Sequence, residues 1–364
     1  MQPSAGPRFP LAARAAVGTL RPMETARTTV ALVGLGGWGP NLLRCAAQCA
    51  SLDVRAVCDA DAARAEVATR LAPGARFTTA LEDVVSDDRI AALLLATPAG
   101  LHEEHARRAL EAGKHVLVEK PIAMSTAGAE SLAWLAASRG LRLMAGHTFL
   151  YSGAVRALQQ LVDGGELGRL GHVSAERLSL GSVREDVNVW WNLAPHDVSI
   201  LLALFGELPS RVRATGSTLL PGARHPDIVT AVLEFPGGRG ATIHVSWLNP
   251  LKVRRLTLLG DKNMVLYDDV AEQKLVLYDK GVDSAPVGTG EGGFAEFRRR
   301  IRRGGERPVE HDRREPLAVE LQEFADCIRE GREALTGPAE AVAVVRVLEA
   351  CQRSLDNDGQ PVAP

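Results

Sequence analysis

The sequence predicts a two-part α/β protein: a parallel sheet flanked by helices, then an α+β domain on a large, mostly antiparallel, open-faced sheet. Three observations carry this. Short apolar runs at residues 29–33, 54–58, 90–96, 115–118 and 141–145 alternate with helical stretches, which is the rhythm of βαβ units. After about residue 150 strands follow one another, several alternating apolar with polar residues as at Val229, Ala231, Leu233 and Phe235; such alternation marks a sheet with unlike faces. At 364 residues the chain exceeds one ordinary core.

The elements follow in order. The strand at 29–33 meets glycines at once, and a helix is expected over 40–50 with Pro40 as its first residue, where a missing N–H costs nothing. A helix over 62–71 is closed by Pro73 and Gly74, one over 103–111 by Gly113, and one over 125–139 by Gly140. In the second part, a helix at 154–163 leads to strands at 172–180, 211–217, 228–235, 241–247, 255–259, 264–267 and 274–278. The Gly- and Arg-rich stretch 281–315 reads as a long loop, and helices at 316–330 and 339–354 close the chain. The expected division is a tail over 1–28, a first domain over 29–148 and a second over 149–364. Arg8, Arg14 and Arg21 stand among four prolines in the tail, without the apolar core of a secretory signal. Met23 is a candidate true start.

Composition narrows the function classes. A net charge of −2 provides no basic field for nucleic acid and no polybasic membrane signal. No apolar stretch reaches the roughly 20 residues that span a bilayer. The five cysteines (Cys45, Cys49, Cys58, Cys327, Cys351) read as reduced thiols of a cytoplasmic protein. The basic run RRRIRR at 298–303 reads as a solvated or subunit-contacting loop. His102 and His105 lack a third ligand, so no metal is expected.

The string VALVGLGGWGPNLL sets Gly34, Gly36 and Gly39 in the pattern G-x-G-x-x-G between a strand and a helix. Gly34 permits the tight turn, Gly36 lets the backbone approach a pyrophosphate, and Gly39 allows close helix–strand packing. The phosphates would sit at the helix N-terminus. Asp59, twenty residues beyond Gly39, stands where a carboxylate accepts the ribose hydroxyls. This is a Rossmann dinucleotide site, and the negative charge of Asp59 and Asp61 favours NAD over NADP.

Further motifs are ATPAGLH (96–102), AGKHVLVEKP (112–121), GHTFLY (146–151) and WWNLAPHD (190–197). With GLGGWG they resemble the glucose–fructose oxidoreductase / inositol dehydrogenase / MocA family from residue 29 to about 355. The stretch SAERLSLGSVREDVNVWWNLAPHDVSI is most similar to its nucleotide-sugar 3-dehydrogenases. Oxidising a secondary alcohol needs a group that polarises the hydroxyl and one that takes its proton. Lys120, at the end of a strand, can stabilise alkoxide charge, and His196 can accept the proton near neutral pH. The resemblance implies the same roles. It also implies cofactor contacts from Gly37, Trp38, Thr97, Pro98, His102, Glu119 and Lys120, with His102 beside the nicotinamide ribose. Asn192 stands where many members have aspartate; an amide can orient a hydroxyl but cannot carry a proton.

Arg177, Arg184 and Asn188, just before the histidine motif, could meet a phosphate or carboxylate, and Tyr151 could meet the substrate. Trp190 and Trp191 could stack on it or pack in the core. The expected activity is NAD-dependent oxidation of a nucleotide-linked sugar, with a cyclitol or free-sugar dehydrogenase, a 3-ketoreductase or a non-catalytic dinucleotide sensor as alternatives. The resemblance implies a homodimer or homotetramer paired through the open sheet face.

Overall fold

The computed structural model describes residues 27–181, 183–287 and 296–364. Met23 and nearly all of the expected tail lie outside them.

The described chain forms two compact units. The first comprises residues up to Ser152 together with Arg184–Ser199 and Arg314–Glu349, so a single cut after residue 148 does not describe it. Its sheet contains β1 (Thr28–Val33), β2 (Leu52–Cys58), β3 (Arg76–Thr78), β4 (Ala92–Leu95), β5 (His115–Val118) and β6 (Leu143–Ala145). The order is β3-β2-β1-β4-β5-β6, all parallel, the doubly wound arrangement. The helices are α1 (Gly39–Gln48), α2 (Ala65–Leu71), α3 (Glu82–Val85), α4 (His102–Glu111) and α5 (Thr126–Ser138). Ser125 caps α5 by accepting the Gly128 N–H. β3 and α3 were not expected from the sequence, because each is too short to show a period.

Every residue of β4 is buried, as helices on both faces of a parallel sheet require. Helix α8 (Pro316–Glu330) joins this core: Leu317, Leu321 and Phe324 pack in one cluster with Leu32, Leu94, Leu117 and Met144.

The second unit comprises Gly153–Val183, Ile200–Arg313 and Ala350–Pro364. It holds α6 (Gly153–Asp163), β7 (Leu170–Leu178), β8 (Arg211–Ser217), β9 (Ile228–Phe235), β10 (Arg239–Ser246), β11 (Val253–Gly260), β12 (Met264–Asp268), β13 (Leu275–Val287) and β14 (Glu296–Pro308). The eight strands run β14-β13-β12-β11-β7-β10-β9-β8; only β7 and β10 pair in parallel. β13 and β14 correct the expectation of a loop over 281–315. They pair antiparallel along their length, and Arg302 of the basic run bonds Asp279 and Asp283 across the ladder. Cross-strand ion pairs of this kind steady a ladder of otherwise weak strand formers.

Two long helices, α7 (Val189–Phe205) and α9 (Pro338–Asp356), complete the chain. α7, which has Pro195 inside it, was not among the expected elements. No helix of the described residues is long and apolar enough to cross a membrane. The five cysteines are free thiols, and burial pushes Cys45 up to about 12 and Cys58 to about 11.

Candidate functional site

The glycine loop joins β1 to α1. Gly34 has φ +98°, and a Cβ there would stand 2.6 Å from the Ala96 carbonyl oxygen, so only glycine fits. At Gly39 a Cβ would land on the Gly34 carbonyl, whereas around Gly36 and Gly37 a Cβ meets nothing within 4 Å. Two glycines thus serve the chain's own packing and two leave open space over the helix start, which fits a pyrophosphate. Asp59 lies just past β2. Its Oδ2 accepts the Leu35 N–H at 2.5 Å and its Oδ1 accepts the Asp61 N–H at 2.9 Å. The acid therefore latches the glycine loop to the β2 end, beside the face a ribose would use.

After β4, Thr97 and Pro98 begin the turn into α4. The Thr97 Oγ1 is buried with no hydrogen-bond partner among the described residues. His102 is 2% exposed, with Nδ1 2.7 Å from the Pro121 carbonyl oxygen and Nε2 2.7 Å from that of Thr97. Burial lowers its pKa most; the two carbonyls oppose that, and the Lys120 charge adds to it. A neutral imidazole donates one N–H, so His102 bonds one of these carbonyls and lies against the other; it is enclosed between two turns, where the resemblance implied a cofactor contact.

β5 delivers Glu119 and Lys120, and the Lys120–Pro121 peptide is cis. The Lys120 Nζ donates to the Asn192 carbonyl at 2.9 Å. Asn192 lies on α7 one turn before His196. Pro195 has no N–H to return to the carbonyl four residues earlier, the place where a helix bends. The lysine meets the backbone in this turn. His196 is half-buried, its ring 4.9 Å from that of Phe149, and Ser199 Oγ donates to its carbonyl at 2.8 Å. It stands within α7, two turns from its start.

Glu119 is 8% exposed. Its Oε2 accepts the Lys120 backbone N–H at 3.3 Å. Burial raises its pKa, while the Lys120 charge and N–H and the Trp38 side chain pull it back.

The remaining expected residues separate. Tyr151 is 1% exposed and its hydroxyl bonds Thr336 at 3.1 Å; it is a core residue, with no surface for a substrate. Asn188 caps α7, its Oδ1 accepting the Trp191 N–H at 3.0 Å. Trp190 is fully buried and donates its indole N–H to the Leu348 carbonyl, while Trp191 is 5% exposed; both pack in the core. Arg184 is exposed and forks onto Asp186 through bonds of 2.8 and 2.6 Å. Arg177 lies on β7 of the second unit, 5% exposed.

Sequence reasoning missed a buried acid cluster. Glu320 of α8 is fully buried, its Oε2 accepting the Thr148 hydroxyl at 2.8 Å. His147 Nδ1 meets Glu340 of α9 at 2.7 Å. The signal was present: in PLAVELQEF, Glu320 falls on the stripe of Leu317, Leu321 and Phe324, where an acid is out of place.

Residues 28–147 match a family model described as "Oxidoreductase family, NAD-binding Rossmann fold", and residues 155–266 match "GFO/IDH/MocA C-terminal domain". The chain is 28% identical over 260 residues to UDP-N-acetylglucosamine 3-dehydrogenase of Acidithiobacillus ferrooxidans, covering 71% of this chain and 76% of that one. It is 24% identical to scyllo-inositol 2-dehydrogenase (NADP(+)) IolW of Bacillus subtilis, covering 80% and 84%. The structure of GenD2 from gentamicin A biosynthesis, in complex with NAD, matches with a TM-score of 0.79 at 26% identity, covering 96% and 99%. With the uncharacterized oxidoreductase YhhX of Escherichia coli the match spans 60% of this chain and only 63% of that protein.

Proposed function

Because the chain belongs to the Gfo/Idh/MocA family of oxidoreductases, with an NAD-binding Rossmann domain, we propose that it oxidises a secondary hydroxyl, at C3, of a nucleotide-linked sugar such as a UDP-N-acetylhexosamine or its uronic acid. The observation that carries this is the Lys120 ammonium at 2.9 Å from the Asn192 carbonyl, one turn before His196. That contact draws a fixed cation toward the helix bearing a proton acceptor, the pair that alcohol oxidation needs.

Bound NAD would supply the hydride acceptor, and the open space at Gly36 and Gly37 suits its pyrophosphate. Lys120 polarises the substrate hydroxyl and carries the developing alkoxide charge. His196 takes the proton, and the Asn192 side chain orients the hydroxyl without carrying a proton itself. The Asp59 carboxylate disfavours a 2′-phosphate and so supports NAD over NADP. Pairing of copies into a dimer or tetramer through the open face of the second sheet belongs to the same reading, and light scattering decides it.

The deciding experiment follows NAD reduction by absorbance against UDP- and dTDP-sugars, their uronic acids, inositols and free hexoses. Turnover of one nucleotide sugar, abolished by His196→Ala, is the expected result. The match to an inositol dehydrogenase over 80% of the chain supports a second reading, cyclitol oxidation, which turnover of an inositol alone would establish. Silence across the panel in both directions, with tight NADH binding, favours a non-catalytic dinucleotide sensor. Asn192→Asp keeps or raises turnover if His196 works within a relay; a large drop would mean the amide itself is required.

A further inference from the structure

Behind the Lys120 turn the first unit buries more acid than this chemistry uses. Glu119 follows β5, Glu320 comes from α8, and Glu340 from α9. His147 and Thr148 follow β6. Glu320 is fully buried, and only its Oε2 is bonded, by Thr148 at 2.8 Å. The Oε1 atoms of Glu119 and Glu320 are both buried without a hydrogen-bond partner among the described residues. A carboxyl in such a place costs stability that leucine would not.

We propose that Glu320 is a positioning residue for the site: from α8 it braces, through Thr148 and the neighbouring Glu119 carboxyl, the turn that aims the Lys120 ammonium at α7. The brace has two contacts. Thr148 ties α8 to the segment after β6, and there the Gly146 N–H donates to the Val118 carbonyl at 2.8 Å, with no room for a side chain between Gly146 and Glu119. Glu119 in turn holds the Lys120 N–H.

Burial first, then the Glu119 and Glu340 charges, push Glu320 well above the usual carboxylate range, while Thr148 opposes them. Burial raises Glu119 as well, and the Lys120 charge offsets only part of that. Both carboxyls are therefore harder to ionise than exposed ones, Glu320 more so than Glu119. The Tyr151 hydroxyl also feels the Glu320 charge, and Glu323 lies one turn on along α8. Since its folded pKa is raised, the stability Glu320 contributes is full below the unfolded carboxyl value of about 4.3. It is lost as pH rises through the folded value.

The effect on rate rests on the dehydrogenase reading; the effect on Lys120 does not. Glu320→Ala, Thr148→Val and Glu320→Gln are made in the full chain. Two quantities are followed across pH: kcat and KM with NAD and the panel substrate, and the titration of the 13C-methyl resonance of reductively methylated Lys120, assigned by its loss in Lys120→Arg. The Ala and Val variants are expected to lower kcat by about tenfold or more, with KM within about threefold, since an ångström of misplacement costs up to about a hundredfold. They should also shift the Lys120 titration. Gln, which accepts from Thr148 but never ionises, keeps both near native at neutral pH. It also melts higher than the native protein at alkaline pH, with the gap closing toward pH 4–5. An unmoved Lys120 titration in both Ala and Val, or a Gln variant as damaged as Ala, overturns the proposal. If the native protein turns over nothing in the panel, the dehydrogenase reading fails, and the Lys120 titration alone decides the brace.

Discussion

β4 and β9 are both flanked by strands on two sides, yet β4 buries all four of its residues while β9 buries every second one. In the six-stranded sheet both faces go to packing, and the polar chemistry is pushed to strand ends: Asp59 after β2, Thr97 after β4, Lys120 after β5. In the eight-stranded sheet one face is packed and the other is lined by cross-strand rows. One such row runs Thr230, His244, Glu176, Arg255 and Asp268, with Thr230 bonded to His244 at 2.8 Å and Arg255 to Asp268 at 2.7 Å. A parallel sheet concentrates function at its edge of loops, whereas an open mixed sheet offers a surface.

The sharpest break of this comparison would come from strand-end chemistry that proved dispensable. Lys120→Ala and His196→Ala are each expected to lower turnover by about 10²–10⁴-fold with NADH affinity little changed, read by steady-state kinetics and fluorescence titration. Next in size is the packed sheet: Leu94→Ala should cost about 2–5 kcal/mol in urea unfolding, as for a fully enclosed leucine. Within the glycine loop, Gly34→Ala should cost about 1–3 kcal/mol through forced backbone strain. Gly36→Ala should leave the unfolding midpoint in place and still weaken NADH binding. Smallest of all, Val232→Ser on the open face should change stability by no more than about 0.5 kcal/mol in dilute protein. A larger loss that grows with protein concentration would mean that this face is covered by another copy.

Much of the first sheet was legible because its strands are continuous apolar runs that meet turn residues, and because the glycine loop and the strand-end lysine are local patterns. α7 was not. Its stretch VWWNLAPHDVSILLALF is apolar apart from a narrow stripe of Asn192, His196 and Ser199 with Asp197 beside it, and Pro195 lies inside a helix that its Asn188 cap and packing sustain. β13 and β14 hid behind glycines and arginines whose pairing with Asp279 and Asp283 exists only across the ladder. The displaced Tyr151 and the overlooked Glu320 share a cause: Tyr151 meets Thr336 185 residues away, and Glu320 meets Thr148 across 172. No local window carries those partners.

The latch at Asp59 bears on how this protein could change its coenzyme. Trading the acid for a small neutral residue is the obvious first step toward accepting a 2′-phosphate, yet it also removes the acceptor that holds the Leu35 N–H. A lineage or an engineer taking that route loosens the loop in the same stroke, and the intermediate binds either dinucleotide poorly. The passable route keeps an oxygen of the same reach at position 59, as asparagine would, and adds the compensating cation elsewhere. Coenzyme preference and loop rigidity are therefore inherited together.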